Sequence, residues 1–341
     1  MDARGFDTVV EVTRGGRVES IHLGAAAVCD ARGARLAWIG DPDVPIWWRS
    51  TAKPFQAVPL LVSGAADRFS VSDAELALIC ASHSGEPQHV EAVGALLSRA
   101  GLTAGQLGCG AHPPYHAASA ADLIRRGESP TVLHNNCSGK HAGMLLQVLH
   151  QGTDLARYLE PEHPVQRAIL AAVAHHAGLE PGAIGIAIDG CSAPTFALPL
   201  AALARACAAL AVALAGEGEP ALGRIARAMA AHPANVGGTG RLDTILMQAA
   251  PGRLIAKVGA EGIYALAALA PAGPIGVALK IADGVAERAR TALVLHLVER
   301  LALLPDAGLA SVRAHWPPEL RNCRGLKVGE IRVRGAAVHQ A

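Results

Sequence analysis

The segment TVVEVTRGGRVESIHLGAAAV, residues 8–28, reads as two strands joined by a tight turn. Thr8 to Val12 is β-prone, and Gly15-Gly16 supplies a hairpin connection. Glu19 to Val28 is the returning strand. Arg32-Gly33 turns the chain again, and Arg35 to Ile39 makes a third strand. The chain therefore opens as an antiparallel meander.

Helical signals take over from about residue 50. Ser72 caps a run from Asp73 to Ala81, with Asp73 and Glu75 in its first turn. Glu86 to Arg99 carries apolar residues at helical spacing, and Gly101 follows its end. Leu102 to Ala121, rich in glycine, proline and small polar residues, reads as an ordered loop. Further helices are predicted over Lys140–Leu149, Pro164–His176 with Gly178 as its stop, Ala197–Ala215, Arg224–Ala231 and Leu242–Ala249. Ile184 to Ile188 reads as a buried strand. Leu254–Val258, Ile263–Leu269 and Ile275–Ile281 form a second meander. Val285–Leu303 is a helix, and Lys327–Val333 alternates as a half-buried strand does. Strands at both ends with helices between predict an α+β fold. Its mainly antiparallel sheet is built from both termini (residues 1–48 plus 250–341). A mainly helical subdomain, 49–249, is inserted and includes the 184–189 strand.

Composition narrows the function. Of 341 residues, 51% are hydrophobic and only 3% aromatic, and the net charge is +1, so neither a basic phosphate-tracking stripe nor a base-stacking platform is present. No nucleic-acid partner is expected. Asp2, Arg4 and Asp7 interrupt any apolar leader, and no unbroken apolar run reaches the roughly 20 residues of a membrane span. The expectation is a soluble cytoplasmic protein. The 7 cysteines are widely spaced with no CxxC, which argues against a disulfide framework.

Five segments carry chemistry. In Arg49-Ser50-Thr51-Ala52-Lys53-Pro54-Phe55, Ser50 and Lys53 would share one face of a helical turn. A serine needs a base to act as a nucleophile, and a lysine serves once its pKa is depressed. Ser82-His83-Ser84-Gly85-Glu86 precedes a helix. Ser84 or Gly85 can be its N-cap, or the hydroxyls and imidazole can form a proton relay. His134 to Gly143 packs polar residues and glycine against a helix N-terminus, a density that core packing does not require. Asn136 and His141 of this cluster are candidates for substrate contact. Asp189 follows the Ile184–Ile188 strand and can bind an α-ammonium group or serve as a turn aspartate. Lys257-Val258-Gly259 places a lysine on a strand beside glycine, a partner for Ser-x-x-Lys in acyl-transfer enzymes.

In this order the segments resemble the thermolabile, Rhizobium-type L-asparaginases. The resemblance begins at Glu11–Gly16, runs through Arg49–Phe55, Ser82–Glu86, Asn135–Gly143 and Asp189–Pro194, and ends at Lys257–Gly262 and Leu279–Gly284. It implies a β-lactamase/glutaminase-like fold and two Ser-Lys pairs, Ser50 with Lys53 and Ser82 with Lys257. It also implies zinc held by Cys137, Lys140 and Cys191, a homodimer, and L-asparagine as substrate. Lys280 and Asp283 belong to the matched pattern without an assigned role. On this reading Ser50 attacks the side-chain amide, Arg49 pairs with the substrate α-carboxylate, and Asp189 holds its α-ammonium. The alternatives are a glutaminase or β-lactamase-like serine hydrolase, and a zinc-stabilised amino-acid binding protein without catalysis. No Ser-Asp-Asn triplet supports the β-lactamase variant.

Overall fold

A computed structural model describes residues 5–284, 286–334 and 339–340. The chain divides into two compact units, one of residues 1–51, 198–215 and 245–341, the other of residues 52–197 and 216–244. The class is α+β, as the alternation of strand and helix patterns predicts.

The first unit is built on an antiparallel sheet. Its longer strands are β1 (Asp7–Arg14), β2 (Arg17–Asp30), β3 (Arg35–Ile39), β4 (Leu254–Val258), β5 (Ile263–Ala270), β6 (Gly273–Ile281), β7 (Glu319–Arg321) and β8 (Lys327–Val333), and His339–Gln340 adds a short one on β3. The order is β7-β8-β1-β2-β6-β5-β4, with β3 on the second half of β2. Both termini therefore enter one sheet, and Val12 lies opposite Ile331. Ala25, Ala26, Ala27 and Val28 are all buried. Successive strand residues point to opposite faces, so both faces are covered along this stretch. Helix Leu200–Leu214 packs on β2, β5 and β6. It lies so close that a Cβ on Gly276 would sit 2.0 Å from the Ala204 carbonyl oxygen, and only glycine fits there.

The sequence reading places a helix over Val285–Leu303. Residue 285 lies outside the described residues, Ala286–Arg290 winds as a π-turn, and the α-helix runs Thr291–Arg300. A further helix, Asp306–His315, carries a single fully buried residue, Val312, and so left no apolar periodicity to read.

The second unit is helical. Asp73–Ile79, Pro87–Arg99, Ser138–Gln151, Pro164–Ala177 and Pro220–Ala231 are its longer elements. The stretch read as loop, Leu102–Ala121, overlaps the first half of a helix, Ala117–Arg126, which buries only Leu123. Its apolar face was too narrow to show in the pattern. A hairpin pairs Gly185–Ile188 with residues 194–197. The expectation of a buried strand fails here: Ile186 and Ile188 are 41% and 82% exposed. A continuous apolar run marks a strand, but apolar residues also occupy surfaces. No helix among the described residues is long and apolar enough to cross a membrane.

Candidate active site

In the second unit two helix ends meet. Ser72 begins helix Asp73–Ile79 with a full capping box: its hydroxyl accepts from Glu75 N, and the Glu75 carboxylate accepts from Ser72 N at 2.9 Å. The chain leaves this helix at Cys80 and delivers Ala81 and Ser82. Helix Ser138–Gln151 starts against the same turn. A Cβ on Gly139 would lie 2.3 Å from the Leu78 carbonyl oxygen, and one on Gly143 2.8 Å from Ile79 Cγ2. Two bare backbone positions one turn apart thus seat the start of this helix, which carries Lys140, against the end of helix Asp73–Ile79.

Lys53, on the short helix Lys53–Gln56 with Pro54 in its first turn, is 1% exposed. Its Nζ lies 2.5 Å from Ala81 O, 3.1 Å from Ser82 Oγ and 3.3 Å from Asn136 O. An ammonium donates to all three. A neutral amine donates to the two carbonyls and leaves its lone pair for the Ser82 hydroxyl proton. The site therefore accommodates both states a general base must visit.

Beside Lys53 are two buried thiols. Cys137 and Cys191 hydrogen-bond each other, and Lys140 Nζ lies 3.1 Å from Cys191 Sγ. The Cys191 thiol, aided by Lys53 and Lys140, pulls Cys137 well below the ordinary thiol range against the cost of burial. Donating that bond pushes Cys191 up. Burial alone would depress Lys140, but Cys191 and Cys137 outweigh it and hold its pKa above the ordinary value. None of the 7 cysteines forms a disulfide.

The surrounding loop is pinned by hydrogen bonds. His83 Nδ1 accepts from Gly85 N, which leaves the proton on Nε2, 2.9 Å from Ser138 Oγ. Burial, then nearby His89 and Lys53, keep His83 neutral far below its usual range. Ser84 donates to Gly237 O, so the N-cap of the next helix is neither Ser84 nor Gly85 but Glu86, with Pro87 in its first turn. The Glu86 carboxylate accepts from Thr239 N and Thr239 Oγ1, each at 2.7 Å. His141 Nδ1 meets Tyr158 Oη at 2.7 Å, and that oxygen accepts from Gly108 N. His141 Nε2 is buried and without a hydrogen-bond partner. Asn136 N donates to His112 Nε2, and Asp189 Oδ1 accepts from Gly190 N, the turn role. Ser192, just past Cys191, holds φ = 69°, a left-handed backbone that costs about 1–3 kcal/mol in a non-glycine residue.

The first unit holds the remaining predicted residues. Arg49 has φ = 48° and leads into the 3-10 turn Arg49–Ala52, which carries Ser50 half-buried. The turn after β4 lies alongside: a Cβ on Gly259 would stand 3.4 Å from Trp48 O and 3.3 Å from Thr51 Cγ2. Lys257, 3% exposed, donates to Val258 O at 3.0 Å. Lys280 donates to Glu261 O and, at 2.8 Å, to Ile281 O, stapling that turn to β6. Asp283 binds His22 Nδ1 at 2.6 Å.

Lys53, Ser82, Asn136, Cys137, Lys140 and Cys191 thus converge within one unit, and Arg49, Ser50 and Lys257 belong to the other. Lys53 hydrogen-bonds Ser82, the serine that the resemblance pairs with Lys257. Sequence reasoning passed over residues 234–239, which hold the Ser82 loop through Val236 O, Gly237 O and Thr239 and the helix after it through Ala234 O. The run Gly237-Gly238-Thr239-Gly240 was the available signal. Among curated proteins no match is found. A family model described as L-asparaginase II matches residues 10–333, nearly the whole chain, and the chain belongs to that family.

Proposed function

We propose that the chain hydrolyses L-asparagine to L-aspartate and ammonia through a serine acyl-enzyme. The observation that carries this is the buried Lys53 amine 3.1 Å from the Ser82 hydroxyl, beside two thiols and a second lysine, in an asparaginase-family chain. Ser50, more accessible than Ser82, is the nucleophile. It gives its proton to Lys53, three residues on, as its oxygen bonds the side-chain carbonyl carbon. The C–N bond then breaks, and the leaving nitrogen takes the proton from Lys53 and departs as ammonia. Water attacks the ester by the same base and frees aspartate. Ser82 and Lys257 complete the proton path. Arg49 pairs with the α-carboxylate, Asp189 holds the α-ammonium, and Asn136 and His141 bound the substrate. A buried amine beside a hydroxyl suits amide hydrolysis, and nothing among the described residues favours β-lactam chemistry or a purely binding role.

The donor set of Cys137, Cys191 and Lys140 fits zinc: two sulfurs and one nitrogen converge, buried, with one thiol already pulled toward thiolate. Zinc bound there would act as a Lewis acid. Lys140, held protonated by the thiols, must release a proton to ligate, so metal uptake should acidify an unbuffered solution. The proposed setting is a cytoplasmic homodimer. The test is ammonia release from asparagine and glutamine, with the acyl adduct located by peptide mass spectrometry. An aspartyl adduct on Ser50 supports the reading. An adduct on Ser82 transfers the nucleophile there. Near-normal turnover by both Ser50→Ala and Ser82→Ala overturns the serine mechanism.

A further inference from the structure

Outside this cluster, His175, His176 and Glu219 bring two imidazoles and a carboxylate together. His175 Nε2 lies 2.7 Å from Glu219 Oε1, and His176 Nε2 lies 3.9 Å from Glu219 Oε2. One donor atom from each residue falls within 4.8 Å of the other two. His175 alone would be an ordinary exposed ion pair, worth about 0–1 kcal/mol. His176 is different. It is 5% exposed, and its Nε2 is buried with no hydrogen-bond partner while facing the carboxylate. A buried ring nitrogen left without a partner calls for one.

The backbone prepares the site. Both histidines sit in the last turn of Pro164–Ala177, where the carbonyl end of the helix favours a cation. Glu219 is the N-cap residue of Pro220–Ala231. The His176 ring is fixed against Phe55, with centroids 5.4 Å apart. In a tetrahedral site with metal–nitrogen bonds of about 2.0–2.1 Å, donors stand roughly 3.4 Å apart. His175 and Glu219 are exposed, so theirs are the side chains that would adjust toward that spacing around the fixed His176 ring. Two imidazoles with one carboxylate select borderline divalent ions such as zinc, cobalt or nickel over magnesium or calcium.

We propose that His175, His176 and Glu219 form a second divalent transition-metal site that clamps the end of one helix to the start of another within the helical unit. The test uses the full chain, stripped with a chelator and titrated with Co²⁺. Equilibrium dialysis counts the ions, and absorption separates thiolate-bound cobalt, with its sulfur charge-transfer band, from cobalt held by nitrogen and oxygen. Wild-type protein should bind two ions, one of them without the sulfur band. His175→Ala, which removes an exposed ring and leaves the Phe55 contact intact, should weaken that ion by about tenfold or more, as should Glu219→Gln. The Cys137→Ser/Cys191→Ser double variant should keep it. Absence of a cobalt ion lacking the sulfur band, or unchanged affinity for that ion in both His175→Ala and Glu219→Gln, overturns the site. Loss of the sulfur band alone leaves it standing and counts against the thiol site instead.

Discussion

Lys280 in the sheet unit and Lys53 in the helical unit are both buried amines, 5% and 1% exposed, yet they serve different ends. Lys280 spends its hydrogen bonds on the carbonyls of Glu261 and Ile281 and fastens a turn. Lys53 also meets carbonyls, but it adds the Ser82 hydroxyl and the Cys137 sulfur. Burial makes an amine costly in either place. What distinguishes the two is the partner: a carbonyl can only accept, whereas a hydroxyl can surrender a proton.

Replacing each lysine by methionine, which keeps the stem and removes the amine, tests this contrast most directly. Lys53→Met should lower kcat for asparagine by roughly 10²–10⁴-fold, the range of a lost general base, with KM moving far less. Retention of more than a tenth of the rate would place Lys53 in the same class as Lys280. Next in size, Cys137→Ser/Cys191→Ser should lose the zinc that survives dialysis against a weak chelator, read by elemental analysis. Unchanged zinc content would confine the thiols to packing. Lys280→Met should lower stability by about 1–3 kcal/mol, because the Glu261 and Ile281 carbonyls lose their donor, while kcat stays within a few-fold. A collapse of kcat at unchanged melting temperature would make Lys280 catalytic and erase the comparison.

The last test lies in the pH dependence. His83 is held neutral in the folded chain, well below its ordinary value of 6.5. Above that value neither state binds the proton. Below it the unfolded chain binds one that the folded chain refuses, so stability falls with a slope of about one proton. His141, lowered in the same way by burial and by Lys140 and Lys53, adds to the slope. A melting temperature that stays flat from neutral pH through about pH 5 would show that these rings accept protons in place.

Local chemistry was legible where one residue governs its neighbours. Thr8–Val12, Gly15-Gly16 and the late meander carry strand and turn preferences within themselves, and Ser72 with Glu75 is a cap in any context. The grouping of Cys137, Lys140 and Cys191 was implied only by the family resemblance. The helix over Ala117–Arg126 did not show, because it buries only Leu123, and Glu86 displaced Ser84 as a cap because Ser84 found Gly237.

The sequence by itself determined the strand-rich ends, the helical middle and the candidate residues for acyl transfer, since each depends on short-range periodicity or on side-chain chemistry. Only the tertiary structure decided that Lys53 faces Ser82, that Ile188 is exposed at 82%, and that His176 presents an unpartnered nitrogen to Glu219. Those facts join residues 29 and 43 positions apart, or turn on which neighbours cover a surface. Close backbone approach settles them, as at Gly139 against Leu78, and no local propensity encodes it.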